Sequence, residues 1–283
     1  MKRRLTLLSL LCTLICTPIC TQVAVAGDFG PPVGSRFPVA TLPDGRNSLG
    51  PKGAAILLYP SDGCPFCPAQ LQELDRQREA FHKLGLGVAA VKDSSAAARP
   101  GWVILDARGV VTKKYFEDNP DQCYTSAAIL LRQFGWIPAE PPREVEGKQL
   151  SANLGASNAS AAPGQRITLT LDIDLQPNMH VYAPGVEGYI PIDWKMEDSA
   201  TAQVHAPTFP RPEKLYLKAI AETVPAYRNH FRLTRDITIN PAAGVAGHIA
   251  VSGSLRYQAC DDRLCYIPQT LRLEWTLEQA KTP

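Results

Sequence analysis

The sequence predicts two domains, an α/β domain followed by an antiparallel β-sandwich. In the first half, a continuous apolar run over residues 54–59 precedes an amphipathic segment, which is the pattern of a buried strand followed by a helix. From residue 167 onwards apolar and polar residues alternate, as expected of strands with one buried face. Residues 138–165, between the two patterns, are rich in Pro, Ala, Ser, Asn and Gly and indicate a linker and a lead-in segment.

The first domain is predicted to follow a strand–helix–strand pattern that continues into a hairpin and a closing helix. The predicted elements are a strand at 54–59, a helix from the Cys64/Cys67 region to about residue 84, a strand at 87–91, hairpin strands at 102–106 and 110–115, and a helix at 125–134. Pro68 fits the first helical turn, where the missing N–H costs nothing. Gly85 and Gly135 are expected to end the two helices, since glycine accepts the left-handed conformation.

The second domain is predicted to consist of many short strands. Apolar residues alternate with polar ones over residues 167–175, 231–239, 249–255 and 271–275, and turn residues separate these stretches. The 25 prolines of the chain also fit a β-rich second half. Regularly spaced, alternating strands of this kind are typical of a β-sandwich.

The start of the chain has the features of a secretory signal peptide. Residues 2–4 are basic, residues 5–19 are mostly apolar and Ala24-Val25-Ala26 is a small-x-small cleavage site. No later segment reaches about 18 apolar residues, so we expect no stable membrane insertion of the mature protein. We therefore expect it in the periplasm, where disulfides form. The formal net charge is +2 without a basic stripe and does not indicate nucleic-acid binding.

These observations define four segments. We predict a signal peptide at residues 1–26, an α/β domain at 27–137, a linker at 138–146 and a β-sandwich domain at 147–283.

Four of the eight cysteines form two close pairs, Cys64/Cys67 and Cys260/Cys265. A disulfide that closes so short a loop contributes only about 2 kcal/mol to stability by the loop-entropy formula, so the pairs indicate redox chemistry more than stabilisation. Cys64 and Cys67 lie at the predicted start of a helix, where free N–H groups and the helix dipole favour a thiolate. Cys64 is the expected nucleophile, and Cys67 can resolve the resulting mixed disulfide.

The first domain resembles the thioredoxin superfamily, in particular the alkyl hydroperoxide reductase/thiol-specific antioxidant (AhpC/TSA, or redoxin) branch. The matching residues are 56–67 (Ile-Leu-Leu-Tyr-Pro-Ser-Asp-Gly-Cys-Pro-Phe-Cys) and 100–111 (Pro-Gly-Trp-Val-Ile-Leu-Asp-Ala-Arg-Gly-Val-Val), and the resemblance covers roughly residues 30–136. It implies a thioredoxin-like fold, with Pro100 as the cis-proline that faces the dithiol and positions substrate.

The sequence departs from this family in two ways. Only residues 92–99 separate two strands that the family usually joins with a full helix. Cys64 also stands where the peroxiredoxin signature has threonine, which favours disulfide exchange and leaves peroxide reduction at Cys67 as an alternative. An inert pair or a local structural disulfide is a further alternative. A zinc site shared with the second pair is disfavoured because the pairs lie in separate predicted domains. We therefore expect no metal and no cofactor.

The second domain resembles the periplasmic N-terminal domain of DsbD, the transmembrane thiol–disulfide interchange protein. Residues 257–260 (Tyr-Gln-Ala-Cys) and 265–268 (Cys-Tyr-Ile-Pro) carry the cysteine motif, and residues 179–184 match an early strand. The resemblance covers roughly residues 147–279. It implies an immunoglobulin-like sandwich whose cysteine pair passes electrons to thioredoxin-like proteins, with an aromatic cap over the cysteines. Tyr216, within residues 212–217, is the candidate cap. A structural disulfide across a hairpin is the alternative.

The sequence therefore predicts an exported thiol–disulfide oxidoreductase that uses both pairs. The expected partners are periplasmic thiol/disulfide proteins, including a membrane-embedded thiol reductase as a possible electron donor, because this chain lacks the membrane domain of DsbD. The alternatives are a thiol peroxidase that uses Cys67 and a non-enzymatic assembly factor with structural disulfides. The fifth cysteine of the predicted mature chain, Cys123, is expected to be a small buried residue, with a resolving thiol as the alternative.

Overall fold

The computed structural model describes residues 29–38, 49–94, 98–136, 143–217, 221–240 and 247–280, so the predicted signal peptide lies outside the described residues. The helices are α1 (Cys67–Lys83) and α2 (Ser126–Phe134). The strands are β1 (Ala54–Pro60), β2 (Gly87–Asp93), β3 (Gly101–Leu105), β4 (Val111–Phe116), β5 (Cys123–Tyr124), β6 (Arg143–Glu146), β7 (Leu150–Ala156), β8 (Ser160–Ala161), β9 (Gln165–Leu175), β10 (His180–Tyr182), β11 (Asp193–Met196), β12 (Ala202–Thr208), β13 (Glu213–Leu217), β14 (Glu222–Arg228), β15 (His230–Ile239), β16 (His248–Tyr257), β17 (Ala259–Cys260) and β18 (Gln269–Gln279). Among the described residues, no helix combines the length and the apolar character that a membrane crossing needs.

The first domain is built on a mixed four-stranded sheet in the order β2-β1-β3-β4. β1 runs parallel to β2 and antiparallel to β3. Both helices contribute to one core, in which Leu74 and Phe81 of α1 pack with Ile129 of α2. Alternate residues of the strands, such as Ile56 and Val103, belong to a second core. Burying a side chain of the size of Phe81, which is 0% exposed, stabilises the fold by about 1.5–3 kcal/mol.

The predicted elements of the first domain are present with small shifts of their ends. α1 has a proline in its first turn, and Gly85 follows it with φ 77°. Thr125 caps α2, since its side chain accepts a hydrogen bond from the Ala128 N–H, and Gly135 ends the helix with φ 68°. β2 extends two residues beyond its predicted end because it continues to pair with β1 as far as Asp93.

The second domain consists of two larger sheets that share one core. One sheet has the order β12-β15-β9-β7-β6, and the other has the order β11-β16-β18-β8. Apolar residues at alternate positions of both sheets form a single cluster, which includes Leu169, Leu233, Leu255 and Trp275. The alternation in the sequence therefore identified the buried faces of the strands, and the predicted sandwich arrangement is confirmed by this shared core.

A smaller sheet, β13-β14-β10-β17, extends from the sandwich and carries the second cysteine pair. One of its two inner strands, β10, pairs with β14 on one side and with β17 on the other. The predicted cap segment at 212–217 is therefore not a loop over most of its length, because Glu213–Leu217 is the edge strand β13 of this sheet.

The predicted linker is shorter than residues 138–146. Residues 143–146 form β6, which pairs antiparallel with β7 and belongs to the sandwich, while residues 138–142 lie outside the described part of the chain. The sequence does not indicate this strand, because β6 is at an edge of the sheet and three of its four residues have exposed, charged side chains. Residues 150–156, which were assigned to the lead-in segment, are the sandwich strand β7.

The two domains are in direct contact. β5 of the first domain pairs with the start of β9, so that Cys123 lies opposite Gln165 and Tyr124 lies opposite Arg166. Beside this pairing, the buried carboxylate of Asp236 accepts hydrogen bonds from the side chains of Tyr124 (2.7 Å), Arg132 (2.8 Å), Thr168 (2.8 Å) and Arg166 (3.2 Å).

The helix that begins at the first cysteine pair also takes part in this interface. Glu73 of α1 is 3% exposed. It accepts hydrogen bonds from the backbone N–H groups of Ser126 (2.7 Å) and Ala127 (3.1 Å) and from the side chain of Asn158 in the second domain (3.3 Å). Hydrogen bonds between buried polar groups require specific donor and acceptor positions, so they favour one relative arrangement of the two domains. The two domains are thus packed as one body around the start of β9.

Candidate functional site

The first cysteine pair lies where the sequence placed it, at the start of α1. Cys64 and Cys67 form a disulfide. Cys64 is half-buried, whereas Cys67, as the first residue of the helix, is only 7% exposed. Cys64 is therefore the more exposed member of this pair. On reduction, the unpaired N–H groups at the helix start would favour its thiolate form.

Pro100 lies at the same end of the sheet as this disulfide. Gly101 pairs with Leu58, two residues before the end of β1, so Pro100 faces the last part of β1 from which the cysteine loop departs. The peptide bond before Pro100 is trans, because the described residues contain no cis bond. The expectation of a cis-proline is wrong for this chain, although the residue occupies the predicted place in the sheet.

The sandwich covers part of the surface beside the first pair. Phe66, between the two cysteines, is 7% exposed, and a methyl group added at Gly164 would lie 3.2 Å from its ring. One turn further along α1, Gln70 donates to the Tyr124 carbonyl and accepts a hydrogen bond from Gln165 (3.3 Å). The first pair therefore lies against the beginning of β9.

The second cysteine pair closes a short loop between β17 and β18. Cys260 and Cys265 form a disulfide in which Cys260 is 1% exposed and Cys265 is exposed. The loop is held by Asp261, whose carboxylate accepts from the backbone N–H groups of Arg263 (2.7 Å) and Leu264 (2.8 Å). These N–H groups lower the pKa of Asp261. Cys265 is therefore the exposed member of this pair, and Cys260 is the buried one.

A cavity of 480 Å³ opens beside Cys265. Three tyrosines line it: Tyr182 of β10, Tyr189 of the loop that follows β10, and Tyr216 of β13. The predicted cap residue Tyr216 is thus brought together with Cys265, and at 56% exposure it forms part of the rim. Exposed Leu264 lies on the same cavity, so the sulfur has apolar and aromatic neighbours.

Tyr182 lies beside the sulfur of Cys265. Its hydroxyl lies 3.8 Å from Cys265 Sγ, and its ring packs on that of Tyr189 with centroids 4.3 Å apart. Burial raises the pKa of Tyr182, so this phenol stays protonated. The hydrogen bond from Tyr189 to Glu222 raises the pKa of Tyr189 to about 12. Both tyrosines can therefore donate hydrogen bonds at neutral pH.

His180, Tyr182 and Tyr189 were not among the predicted site residues. The signal was present, because residues 179–184 were recognised as a strand of the second domain, but nothing in the sequence indicated which side of that strand meets the cysteines. The pairing of His180 with Cys260 across β10 and β17 supplies this information.

The two cysteine pairs lie at opposite ends of the second domain. The first pair contacts the beginning of β9, and the second is opposite His180, five residues beyond the end of β9. β9 has 11 residues and at about 3.3 Å per residue extends for roughly 35 Å. Of the residues that the structure describes, none from the first domain lines the cavity at Cys265.

Cys123 is buried in the interface between the domains. It is 2% exposed and has no disulfide partner among the described residues. Burial raises the pKa of its thiol well above the usual range. These features favour the prediction of a small buried residue over that of a resolving thiol.

Comparison with known proteins identifies the second domain. The family described as "Thiol:disulfide interchange protein DsbD, N-terminal" matches residues 149–276. The chain therefore contains a DsbD_N domain, and this domain points to thiol–disulfide interchange. The match does not include the first domain, and no curated protein matches the chain.

Two solved structures are similar to part of the chain. The N-terminal periplasmic domain of ScsB from Proteus mirabilis is 12% identical, with a TM-score of 0.34 over 46% of this chain and 49% of that chain. The N-terminal domain of DsbD from Neisseria meningitidis in its reduced form is 14% identical, with a TM-score of 0.27 over 39% of this chain and 77% of that chain. The chain thus spans about half the length of the first of these structures.

Proposed function

We propose that this chain is an exported, periplasmic thiol–disulfide oxidoreductase with two redox-active pairs, Cys64/Cys67 and Cys260/Cys265. The observation that carries the proposal is the second pair, in which an exposed sulfur stands beside an aromatic cavity within a DsbD_N domain. A structural disulfide needs neither the exposure of one sulfur nor an open cavity beside it.

The first domain is proposed to be a trimmed thioredoxin-like domain. Its support is the strand order β2-β1-β3-β4 with the Cys64/Cys67 pair between β1 and α1, since a C-x-x-C at the end of a parallel strand and the start of a helix is the redox arrangement. Pro100, opposite the end of β1, is the proposed substrate-positioning residue of this site, and it would act without a cis bond.

The chemistry at each pair is a two-step thiol–disulfide exchange. At the first pair, the thiolate of Cys64 attacks a partner disulfide and Cys67 then displaces the partner as a thiolate. At the second pair, Cys265 is the entering sulfur because Cys260 is buried. Tyr182 can donate a hydrogen bond to the Cys265 thiolate from the position it occupies in the disulfide form.

Electron transfer between the two pairs is proposed to require a second molecule. With the domains docked around the start of β9, a strand of roughly 35 Å separates the two disulfides, and direct attack of Cys64 on Cys265 of the same chain would require the interface to open. The partner is a periplasmic thiol/disulfide protein or a second copy of this chain, and a membrane-embedded thiol reductase is the proposed primary electron donor.

A concentration series tests this point. The electron donor is a chain that is reduced only at the second pair. It is mixed with an excess of an acceptor chain that carries Cys260→Ser and Cys265→Ser and is oxidised at the first pair. Transfer should follow second-order kinetics. In the wild-type chain, a first-order transfer that is independent of protein concentration would show that the interface opens and that the pairs exchange internally.

The reduction potential of each pair tests the proposed function itself. Redox titration followed by thiol alkylation and mass spectrometry should place both pairs between about −120 and −270 mV, the range of known exchange proteins. Potentials below about −300 mV for both pairs would identify structural disulfides and support the non-enzymatic alternative. The peroxidase alternative predicts peroxide consumption that depends on Cys67, but that sulfur is nearly buried.

A further inference from the structure

We propose that His180 is the general base that activates Cys260 when the reduced second pair passes its electrons to a partner disulfide. This inference rests on the proposed function of the Cys260/Cys265 pair and adds the residue that handles the proton. It is supported by the position of His180 opposite Cys260, by the burial of its side chain, by its unpaired Nε2 atom and by the hydrogen bonds that the neighbouring Asp261 already accepts.

The position of His180 follows from the sheet. His180 of β10 is directly opposite Cys260 of β17, and side chains of directly opposite residues lie on the same face with Cβ atoms about 4.5–5.5 Å apart. The His180 ring also contacts the Tyr182 ring, with centroids 5.3 Å apart, and lines the cavity at Cys265. The His180 side chain is therefore on the same face of the sheet as that of Cys260 and lines the cavity that Cys265 also lines.

The Nε2 atom of His180 is buried and has no hydrogen-bond partner among the described residues. The whole side chain is 2% exposed. Buried polar atoms of this kind are normally paired, and an unpaired one usually has a functional reason. A thiol that appears on reduction of the disulfide would supply the missing partner.

Burial favours the neutral form of the His180 ring in the disulfide form of the protein. Burial lowers the pKa of His180, and Arg228, opposite it on β14, acts in the same direction, while Asp262 and Asp261 of the cysteine loop oppose them. Arg228 is itself paired with Glu213 of β13 (3.0 Å). A neutral imidazole can accept a proton, as a general base must.

The other acidic and phenolic groups of the cavity are less suited to this role. Asp261 is occupied by the loop N–H groups and by the Tyr266 hydroxyl (3.1 Å). Tyr182 holds its proton because burial raises its pKa. Asp262 is exposed, whereas the Cys260 sulfur is on the inside.

The proposed reaction has two steps. The Cys265 thiolate attacks the partner disulfide, which releases one partner sulfur as a thiolate and leaves a mixed disulfide. The Cys260 thiol gives its proton to His180 Nε2, and its sulfur attacks Cys265 Sγ. The bond between Cys265 and the partner breaks, and the second partner sulfur leaves as a thiolate. The pair loses two electrons, the partner disulfide gains them, and the imidazolium passes its proton to water or to the departing thiolate.

The test follows the two steps separately with oxidised glutathione as the partner disulfide. The two-domain chain carries Cys64→Ser and Cys67→Ser, so that only the second pair reacts. Acid quenching and mass spectrometry then distinguish the reduced, mixed-disulfide and oxidised forms over time. His180→Phe keeps an aromatic ring without a base, and His205→Phe on β12 is the matched control, since burial lowers the pKa of His205 as well.

In His180→Phe the first step should keep its rate. Ring closure, the second step in which Cys260 attacks Cys265, should slow about a hundredfold at about pH 6.5, the lower end of general-base effects. The difference should shrink as pH rises, because hydroxide then deprotonates the thiol without help from the imidazole. His205→Phe should behave like the parent chain. If His180→Phe does not fold, His180→Gln is measured instead.

Two results would overturn the inference. Ring closure that stays within twofold of the parent rate would exclude His180 as a base, and slowing by the same factor at every pH would indicate a purely structural role. In both cases the second pair would still react. If the parent pair forms neither a mixed nor an internal disulfide with glutathione at any pH, the proposed function fails and the inference fails with it.

Discussion

At the scale of single residues, the exposure of each sulfur decides what the cysteines can do. In both pairs one sulfur is accessible and the other is nearly buried, Cys64 and Cys265 being the accessible members. In the proposed exchange, this asymmetry would set the order of events, because an entering thiolate can only attack a sulfur that it reaches. Cys123 lacks such access, and burial raises the pKa of its thiol, so we expect it to be unreactive.

The inertness of Cys123 can be measured directly. We expect iodoacetamide to leave Cys123 unmodified in the reduced, folded protein at about pH 8, since the thiolate is the reactive form and burial suppresses it. Labelling in denaturant should modify it fully. Cys123→Ala should retain exchange activity, and rapid labelling of Cys123 in the native protein would instead favour the resolving-thiol alternative.

The substitution Tyr216→Ala gives a second prediction at this scale, because we expect it to change the rates of two reactions in opposite directions. Tyr216→Ala removes part of the rim around Cys265, so dithiothreitol should reduce the Cys260–Cys265 disulfide several-fold faster. A thioredoxin-like protein should react more slowly, since exposed aromatic residues beside a binding site often anchor the partner.

Val33→Ala is the matched control for Tyr216→Ala, since Val33 is similarly exposed at 59% but lies in the first domain. Equal changes toward the small thiol and the protein would contradict the role of Tyr216 as a rim residue.

At the scale of secondary-structure elements, Glu73 joins α1 to the start of α2. Its carboxylate accepts hydrogen bonds from two backbone N–H groups at the beginning of α2, a position where the helix dipole favours a negative charge. Burial nevertheless outweighs these hydrogen bonds and raises the pKa of Glu73. The folded protein therefore binds this proton more tightly than the unfolded chain does.

The sign of the resulting pH dependence follows from linkage. A carboxyl with a raised pKa in the folded state favours folding at low pH, and this contribution is lost as pH rises through the folded-state pKa. Between about pH 4 and pH 7, the free energy of unfolding of the wild type should therefore fall relative to that of Glu73→Gln. Urea unfolding of both proteins across this range measures the difference.

Glu79 on the same helix is the matched control with the opposite sign. Its pKa is lowered by the hydrogen bond and charge of Lys83, so its contribution is present above its unfolded-state pKa and is lost as pH falls. Glu79→Gln should therefore show the reverse slope. Identical slopes for the two variants would mean that burial does not control the pKa of Glu73.

At the scale of the whole molecule, a polar interface joins the two domains into one body. Asp236 is 4% exposed and forms ion pairs with Arg132 of the first domain and Arg166 of the second. Removing one member of a buried ion network leaves the others uncompensated, which typically costs about 3–5 kcal/mol. The interface therefore depends on this one carboxylate far more than on the ion pairs at the surface.

Asp236→Asn tests this dependence without a large change of shape. We expect a loss of about 3 kcal/mol in the free energy of unfolding, at the lower end for a broken buried network, or a separation of the unfolding curve into two domain transitions. Asp75→Asn, which breaks the exposed pair with Arg78, should cause no measurable change. Equal effects of the two substitutions would show that the interface is not held by Asp236.

The sequence predicted local features well because they depend on neighbouring residues. The strand before Cys64, the helix from Cys67 with Pro68 in its first turn, the hairpin of β3 and β4 and the alternating sandwich strands all follow from short patterns. Where the pattern was weak the prediction failed. The exposed, charged edge strand β6 was assigned to the linker, and the bond before Pro100 is trans.

By itself, the sequence predicted the change from strand–helix to alternating strand patterns, both cysteine pairs and the more accessible member of the first pair. Only the tertiary structure decided that His180 and Tyr182 meet the second pair, that the domains dock around Asp236, and that the two disulfides lie at opposite ends of β9. The physical reason is that pairing between strands and contact between domains join residues far apart in the chain. Periodicity records which face of an element is buried, but it does not record what that face is buried against.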